Sequence, residues 1–132
     1  MSRVLALDYG SARCGVALSD PTGTLATPLA AVERPGTRRG IARVAALARE
    51  REAGRVIVGL PLTLAGVEGA QAAESRAFAA RLAEVVPVPV ELHDERVTTR
   101  QAARSGGRAD ADSRAAAHLL ESYLATAAGA GR

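Results

Sequence analysis

Asp8 ends the apolar run Val4-Leu5-Ala6-Leu7, Asp94 and Glu95 follow Val90-Glu91-Leu92, and Asp110 and Asp112 precede Ala115-Ala116-Ala117. Acids that close apolar strands sit where α/β sheets present ligands, at the carboxyl edge. If the strands ending in Asp8 and Glu95 are parallel neighbours, both carboxylates emerge at one edge. A final helix packed across the sheet then brings Asp112 beside them. Three clustered carboxylates repel one another strongly, and a divalent cation relieves the repulsion. An all-oxygen donor set selects Mg²⁺ or Mn²⁺, whereas zinc wants His and Cys. His93, His118 and Cys14, the full complement of those types here, make a poor zinc set. Two hard cations about 3.5–4 Å apart can hold one phosphodiester, activate a water and stabilise the leaving oxygen, which is nuclease chemistry.

Each acid also has a plainer use. Asp8 can start an Asx-turn. Asp94 and Glu95 can be solvated, with Arg96 either neutralising them or contacting a phosphate. Asp112 taken alone fits a helix N-cap, and Asp110 fits the loop before it. Thr98 with Gln101 fits a capping box, which makes Thr98 a structural cap. Arg13 lies in the first hairpin, within reach of the same edge. Gly10 sits in the turn after Asp8, and Gly59 and Gly66 flank a loop before a helix whose first backbone amides can hold a phosphate. Cys14 reads as a small core hydrophobe, and His118 as packed or half-exposed on the final helix.

The elements that must position these residues follow from periodicity. Val4–Asp8 and Gly15–Ser19 read as a hairpin, Asp20-Pro21-Thr22-Gly23 as a turn, and Leu25–Val32 as an edge strand marked by Pro28. Thr37–Glu52 has helical spacing at Ile41, Val44, Ala45, Leu47 and Ala48, with Gly54 as its stop. Arg55–Pro61 is a buried strand, Ala70–Glu84 a helix, and Pro87–Leu92 a strand leading into Asp94-Glu95. Thr98–Arg104 is a short helix, Ser105–Asp110 a loop and Asp112–Ala127 a closing helix. The order β-β-β-α-β-α-β-α-α predicts an α/β fold, a mixed sheet with helices on its faces. One domain over residues 1–128 is expected, with a frayed tail at 129–132.

The chain has 132 residues, 48% of them hydrophobic and 23% charged, which is globular composition rather than disorder. No apolar run reaches the roughly 18 residues of a membrane span, and no signal peptide is evident, so no membrane partner and a cytoplasmic location are expected. All 17 basic residues are Arg, against 14 acids. The net charge of +3 permits a nucleic-acid partner without requiring one. The aromatics are Tyr9, Phe78 and Tyr123, too few for a platform that stacks single-stranded bases.

Five stretches together resemble the YqgF/RuvX family of Holliday junction resolvases and pre-16S rRNA nucleases: LALDYGSARCGVALSDPTGTLATPL, VIVGLPLTLAGVEGAQA, FAARL, HDERVTT and DADSRAAAHLLESYL, from Leu5 to Leu124. The resemblance implies a ribonuclease-H-like fold related to the RuvC resolvases, with a five-stranded sheet of order 3-2-1-4-5. It implies that Asp8, Glu95 and Asp112 are the catalytic, metal-binding acids, holding Mg²⁺ or Mn²⁺. The implied substrate is pre-16S rRNA trimmed at its 5′ end, with branched DNA junctions as the alternative. A homodimer would suit the junction, because two symmetric cuts need two sites. A third reading is a non-catalytic rRNA-binding assembly factor. LDYG…GVALSD is also similar to a phosphate loop of the actin and sugar-kinase group, which clamps ATP between two such domains, whereas this length suits one.

Overall fold

A computed structural model describes residues 3–62, 68–95 and 108–130. Strands β1 (Arg3–Asp8), β2 (Arg13–Ser19) and β3 (Ala26–Glu33) are followed by helix α1 (Arg38–Glu50). Then come β4 (Ala53–Pro61), α2 (Ala70–Ala83), β5 (Val90–Glu95) and α3 (Arg108–Ala130). The five strands form one sheet in the order β3-β2-β1-β4-β5. β1 pairs antiparallel with β2, β2 antiparallel with β3, and β1, β4 and β5 run parallel. The mixed sheet and its strand order are as expected, and Pro28 does lie on an edge strand, where a missing ladder donor does least harm.

The alternation of β1 sorts the core into two layers. Leu5 and Leu7, with Val56 and Val58 of β4, face Ile41, Val44, Phe78 and Leu82 of α1 and α2. Ala6, with Ala17 and Ile57, faces Ala116, Leu119 and Leu120 of α3. The α3 side is lined by small residues, so that helix lies close to the sheet. Cys14 is fully buried and its thiol pKa is pushed up by that burial, as suits a core residue.

Local chemistry explains where several boundaries differ from expectation. β5 begins at Val90 rather than Pro87 and includes Asp94 and Glu95, since Pro87 and Pro89 have no N–H for a ladder. α1 stops at Glu50, and Gly54 is already inside β4; Glu52, at φ 55°, takes the left-handed turn instead. α3 starts at Arg108, so Arg108–Asp110 are helical rather than loop, and it runs to Ala130, into the stretch expected as tail. Arg and Ala are strong helix formers and an acid in the first turn suits the helix dipole. Asp112 therefore lies inside the helix and is not its N-cap. Residues 63–67 and 96–107 lie outside the described residues, and with them Gly66, Arg96, the Thr98–Arg104 helix and its capping box. Among the described residues no helix is long and apolar enough to cross a membrane.

The turn into α1 offers a direct test of capping. Thr37 Oγ1 accepts from the Gly40 N–H at 3.0 Å and donates to the Arg34 carbonyl at 2.8 Å. Thr37→Ala is expected to lower the free energy of unfolding by about 1 kcal/mol in urea titration. An unchanged midpoint would show that the cap contributes nothing.

Candidate active site

β1, β4 and β5 all end at one edge of the sheet because they are parallel, and Asp8 and Glu95 are the last residues of their strands. On β5, Tyr123 Oη donates to Glu91 at 3.2 Å and His93 Nε2 meets Ser122 Oγ at 3.1 Å, so Glu91 and His93 face α3. Alternation puts Glu95 on that same face, and puts Asp8 there too, two residues beyond Ala6. Between them lies Gly59 of β4. A Cβ built on Gly59 would stand 2.5 Å from Glu95 Oε2 and 3.1 Å from Leu119 Cδ2. The missing side chain is thus the space in which the Glu95 carboxylate lies over the sheet.

The electrostatics of this pair are unusual for acids. Burial, then the charge of Asp112, pushes the Asp8 pKa up to about 6. Burial, then the charge of Asp8, pushes Glu95 up to about 8. Both carboxyls therefore resist ionising in the same partly dehydrated space, and Asp8 is the group the other two acids share. Perturbed acids at a sheet edge make these two residues candidates for function, and neither is a fully solvated strand end.

Asp112 is held from the other side. Its carbonyl lies against Gly15 of β2, where an added Cβ would stand 1.9 Å away. The next residue, Ser113, is buried and donates its hydroxyl to the Leu29 carbonyl of β3 at 2.6 Å. The Asp112 carboxylate, 36% exposed, lies 4.0 Å from Arg13 Nε. Arg13 donates to Glu33 at 3.1 Å, so its guanidinium stands between two acids. Among the described residues no three His, Cys, Asp or Glu side chains converge closely enough to hold a metal ion. The structure thus brings Asp8 and Glu95 into one space, while Asp112 acts on Asp8 through its charge and neighbours Arg13.

Of the expected glycines, Gly10 follows Asp8 in the tight turn, where a Cβ would meet the Arg13 carbonyl at 2.8 Å. Gly59 lies inside β4, under Glu95, rather than at the phosphate-facing start of a helix. Gly15, Ser113 and Glu33 were not legible as site residues. A lone glycine inside a strand pattern was the available signal for Gly15, since it marks close backbone approach. His118 is exposed and 3.3 Å from Glu121, on the outer face of α3.

A family model, RuvX, described as Holliday junction resolvase, matches residues 2–126. The chain belongs to the RuvX family. A relative from Rhodococcus erythropolis (strain PR4 / NBRC 100887), provisionally named a pre-16S rRNA nuclease, is 46% identical over 92% of this chain and 77% of its own. One from Anaeromyxobacter sp. (strain Fw109-5), with the same provisional name, is 44% identical over 92% of this chain and 96% of its own. In fold, this RuvX member is similar to RuvC of Thermus thermophilus, at TM-score 0.60 and 18% identity over 96% of each chain. A further structure of that RuvC holds a Holliday junction substrate, at TM-score 0.60 and 17% identity over 97% of each chain.

Gly59→Ala isolates the geometry from the chemistry. A methyl there displaces the end of a flexible side chain, so the fold survives but Glu95 swings toward water. We expect the Glu95 carboxyl, followed by carbon NMR against pH, to titrate well below 8 in this variant, toward its ordinary range. A titration unchanged from that of the parent chain would mean that Gly59 does not set the position of Glu95.

Proposed function

We propose that this chain is a divalent-metal-dependent nuclease that cuts structured nucleic acid, and that its substrate is the 5′ region of pre-16S rRNA in the cytoplasm. The observation that carries the reading is the pair Asp8 and Glu95, two carboxyls forced into one half-buried space at the carboxyl edge of the sheet and both resisting ionisation. Family membership supports hydrolysis of phosphodiester bonds, and the provisional names of the relatives support the rRNA substrate.

The donor chemistry fits a hard cation. Asp8 and Glu95 offer oxygen ligands whose mutual repulsion a Mg²⁺ or Mn²⁺ ion would cancel, and Asp112, which does not converge with them into a three-acid cluster, adds its charge beside Asp8. When bound, the cation supplies the positive charge that a phosphodiester and an ionising water both need. The chain's own residues do the rest. Gly59 leaves room for Glu95, Gly15 and Ser113 hold the α3 backbone against the sheet, and Arg13 stands beside Asp112 where it can meet a phosphate.

Cleavage assays decide the matter. The purified chain is incubated with a pre-16S rRNA leader, four-way DNA junctions and linear controls, with and without Mn²⁺. Metal-dependent cutting confined to the rRNA leader is expected. Symmetric cutting of the junction by a dimer would favour the resolvase reading, which the RuvC likeness and the family description support. Specific rRNA binding with no cutting of anything would leave an assembly factor.

A further inference from the structure

The strongest unexplained charge lies outside the acid site, on α1. Its sequence, RRGIARVAALARE, opens with Arg38 and Arg39, has no acid in its first turn, and places Arg43 four residues after Arg39. Arginines in a first turn oppose the positive end of the helix dipole, and like charges four apart repel. Arg38, Arg39 and Arg43 are exposed, as are Arg34 before the helix and Arg81 of α2. Among the described residues none of the five has a carboxylate within 4.0 Å. Glu84 is the one acid lining the groove shared by Arg38 and Arg81.

The place of this strip in the fold gives the charge a direction. β3 runs parallel to β1, so the turn into α1 emerges at the edge where Asp8 ends. A cleft of about 640 Å³ lies at that edge, lined by Tyr9 next to Asp8, by Arg13 and Glu33, and by Arg34 and Thr37 at the start of α1. α1 packs on the face of the sheet opposite α3, so a polyanion whose strand reaches the acids passes over this shared edge to meet Arg34 and then the exposed arginines of α1.

We propose that Arg38, Arg39 and Arg43, continued by Arg34 and Arg81, form the surface that docks the phosphate backbone of the structured RNA whose strand enters the acid site. The proposal deepens the nuclease reading and rests on it for the identity of the polyanion. The contact is to phosphates, so it carries affinity and register without base sequence. Phosphates along the strip relieve both repulsions built into the helix, which explains why the arginines have no acidic partners of their own.

The test compares two triple variants of equal charge, R38A/R39A/R43A on the strip and R3A/R51A/R55A at the opposite edge, where β1 and β4 begin. Binding to a labelled duplex from the pre-16S rRNA leader is measured by anisotropy across a salt series, in an Asp8→Asn background so that no cutting intervenes. Loss of three phosphate contacts is expected to reduce the salt slope by about 2–3 and to weaken binding roughly 10- to 100-fold at 0.1 M salt. The opposite-edge variant should stay within about twofold of the parent. The thermal midpoint of the strip variant should hold or rise, because a repulsion is removed. An unchanged salt slope in the strip variant overturns the proposal, and so does an equal loss in the opposite-edge variant, which would reduce the effect to net charge. The two readings fail separately. A chain that cleaves rRNA with KM and kcat both unmoved in the strip variant refutes the docking surface alone. A chain that cuts nothing, yet loses binding only in the strip variant, keeps the surface and refutes the nuclease.

Discussion

Asp8→Asn is expected to abolish metal-dependent cleavage, by at least about 1,000-fold, while making the metal-free protein more stable. The two effects have one cause. Asp8 is raised to about 6 and Glu95 to about 8, chiefly by burial and then by neighbouring charge. An acid whose folded pKa lies above its unfolded value holds its proton longer in the folded state. Its contribution is fully present below about pH 4 and is lost as pH rises through the folded values of about 6 and 8. Without metal the parent chain should therefore lose stability between about pH 4 and 8. Asn is the same shape without the charge, so at pH 8 the variant should gain on the order of 2 kcal/mol, about 7 °C in Tm. Saturating Mn²⁺ should stabilise the parent and leave the variant unmoved. Thermal melts at pH 5 and pH 8, with and without Mn²⁺, measure all of this. Cleavage that survives in the variant, or a melting temperature of the metal-free parent that does not fall with pH, removes Asp8 from the centre of the site.

The second large effect belongs to a residue with no functional group. Gly15→Ala would place a methyl 1.9 Å from the Asp112 carbonyl oxygen, 2.5 Å from its carbon and 3.2 Å from the Ser113 nitrogen. These are backbone atoms of a helix and cannot rotate away. Ser113 ties the same turn to the Leu29 carbonyl, so relief requires α3 to lift from β2 and break that bond. A loss of about 3 kcal/mol or more is expected, at the upper end for overpacking. Cleavage should fall as well, because Asp112 rides on the displaced turn. Cys14→Ser, at the neighbouring buried position, serves as the comparison: it should lose stability without the same loss of specific activity in the folded fraction. Denaturant midpoints together with activity per folded molecule separate the two. A Gly15→Ala protein with unaltered midpoint would mean that α3 does not seat where the structure has it.

These two predictions show how unevenly the site could be read from residues. Asp8 and Glu95 close apolar strands, and the rule that parallel strands present ligands at their carboxyl edge was enough to pair them. Asp112 taken alone looks like an N-cap, because it precedes an alanine run; it gained a site reading only from an assumed packing of the final helix across the sheet and from its resemblance to a family pattern. The structure removes that plain use by starting α3 at Arg108. The arginines of α1 read as composition, since every basic residue here is Arg; their lack of acidic partners is visible only once the helix is placed.

What the amino-acid order determined by itself was the set of elements, their sequence along the chain and a mixed sheet with helices on its faces, while the strand order came from the family resemblance. The elements follow from local periodicity and turn residues, each legible within a short window. What the tertiary structure alone decided was proximity. Gly59 makes room for a carboxylate 36 positions later, Gly15 admits the backbone of a helix 97 positions later, and Arg13 lies between Glu33 and Asp112. Such contacts depend on how closely two layers pack and which atoms are missing between them. A one-dimensional pattern records that a glycine is small, and only the fold says what occupies the space it leaves.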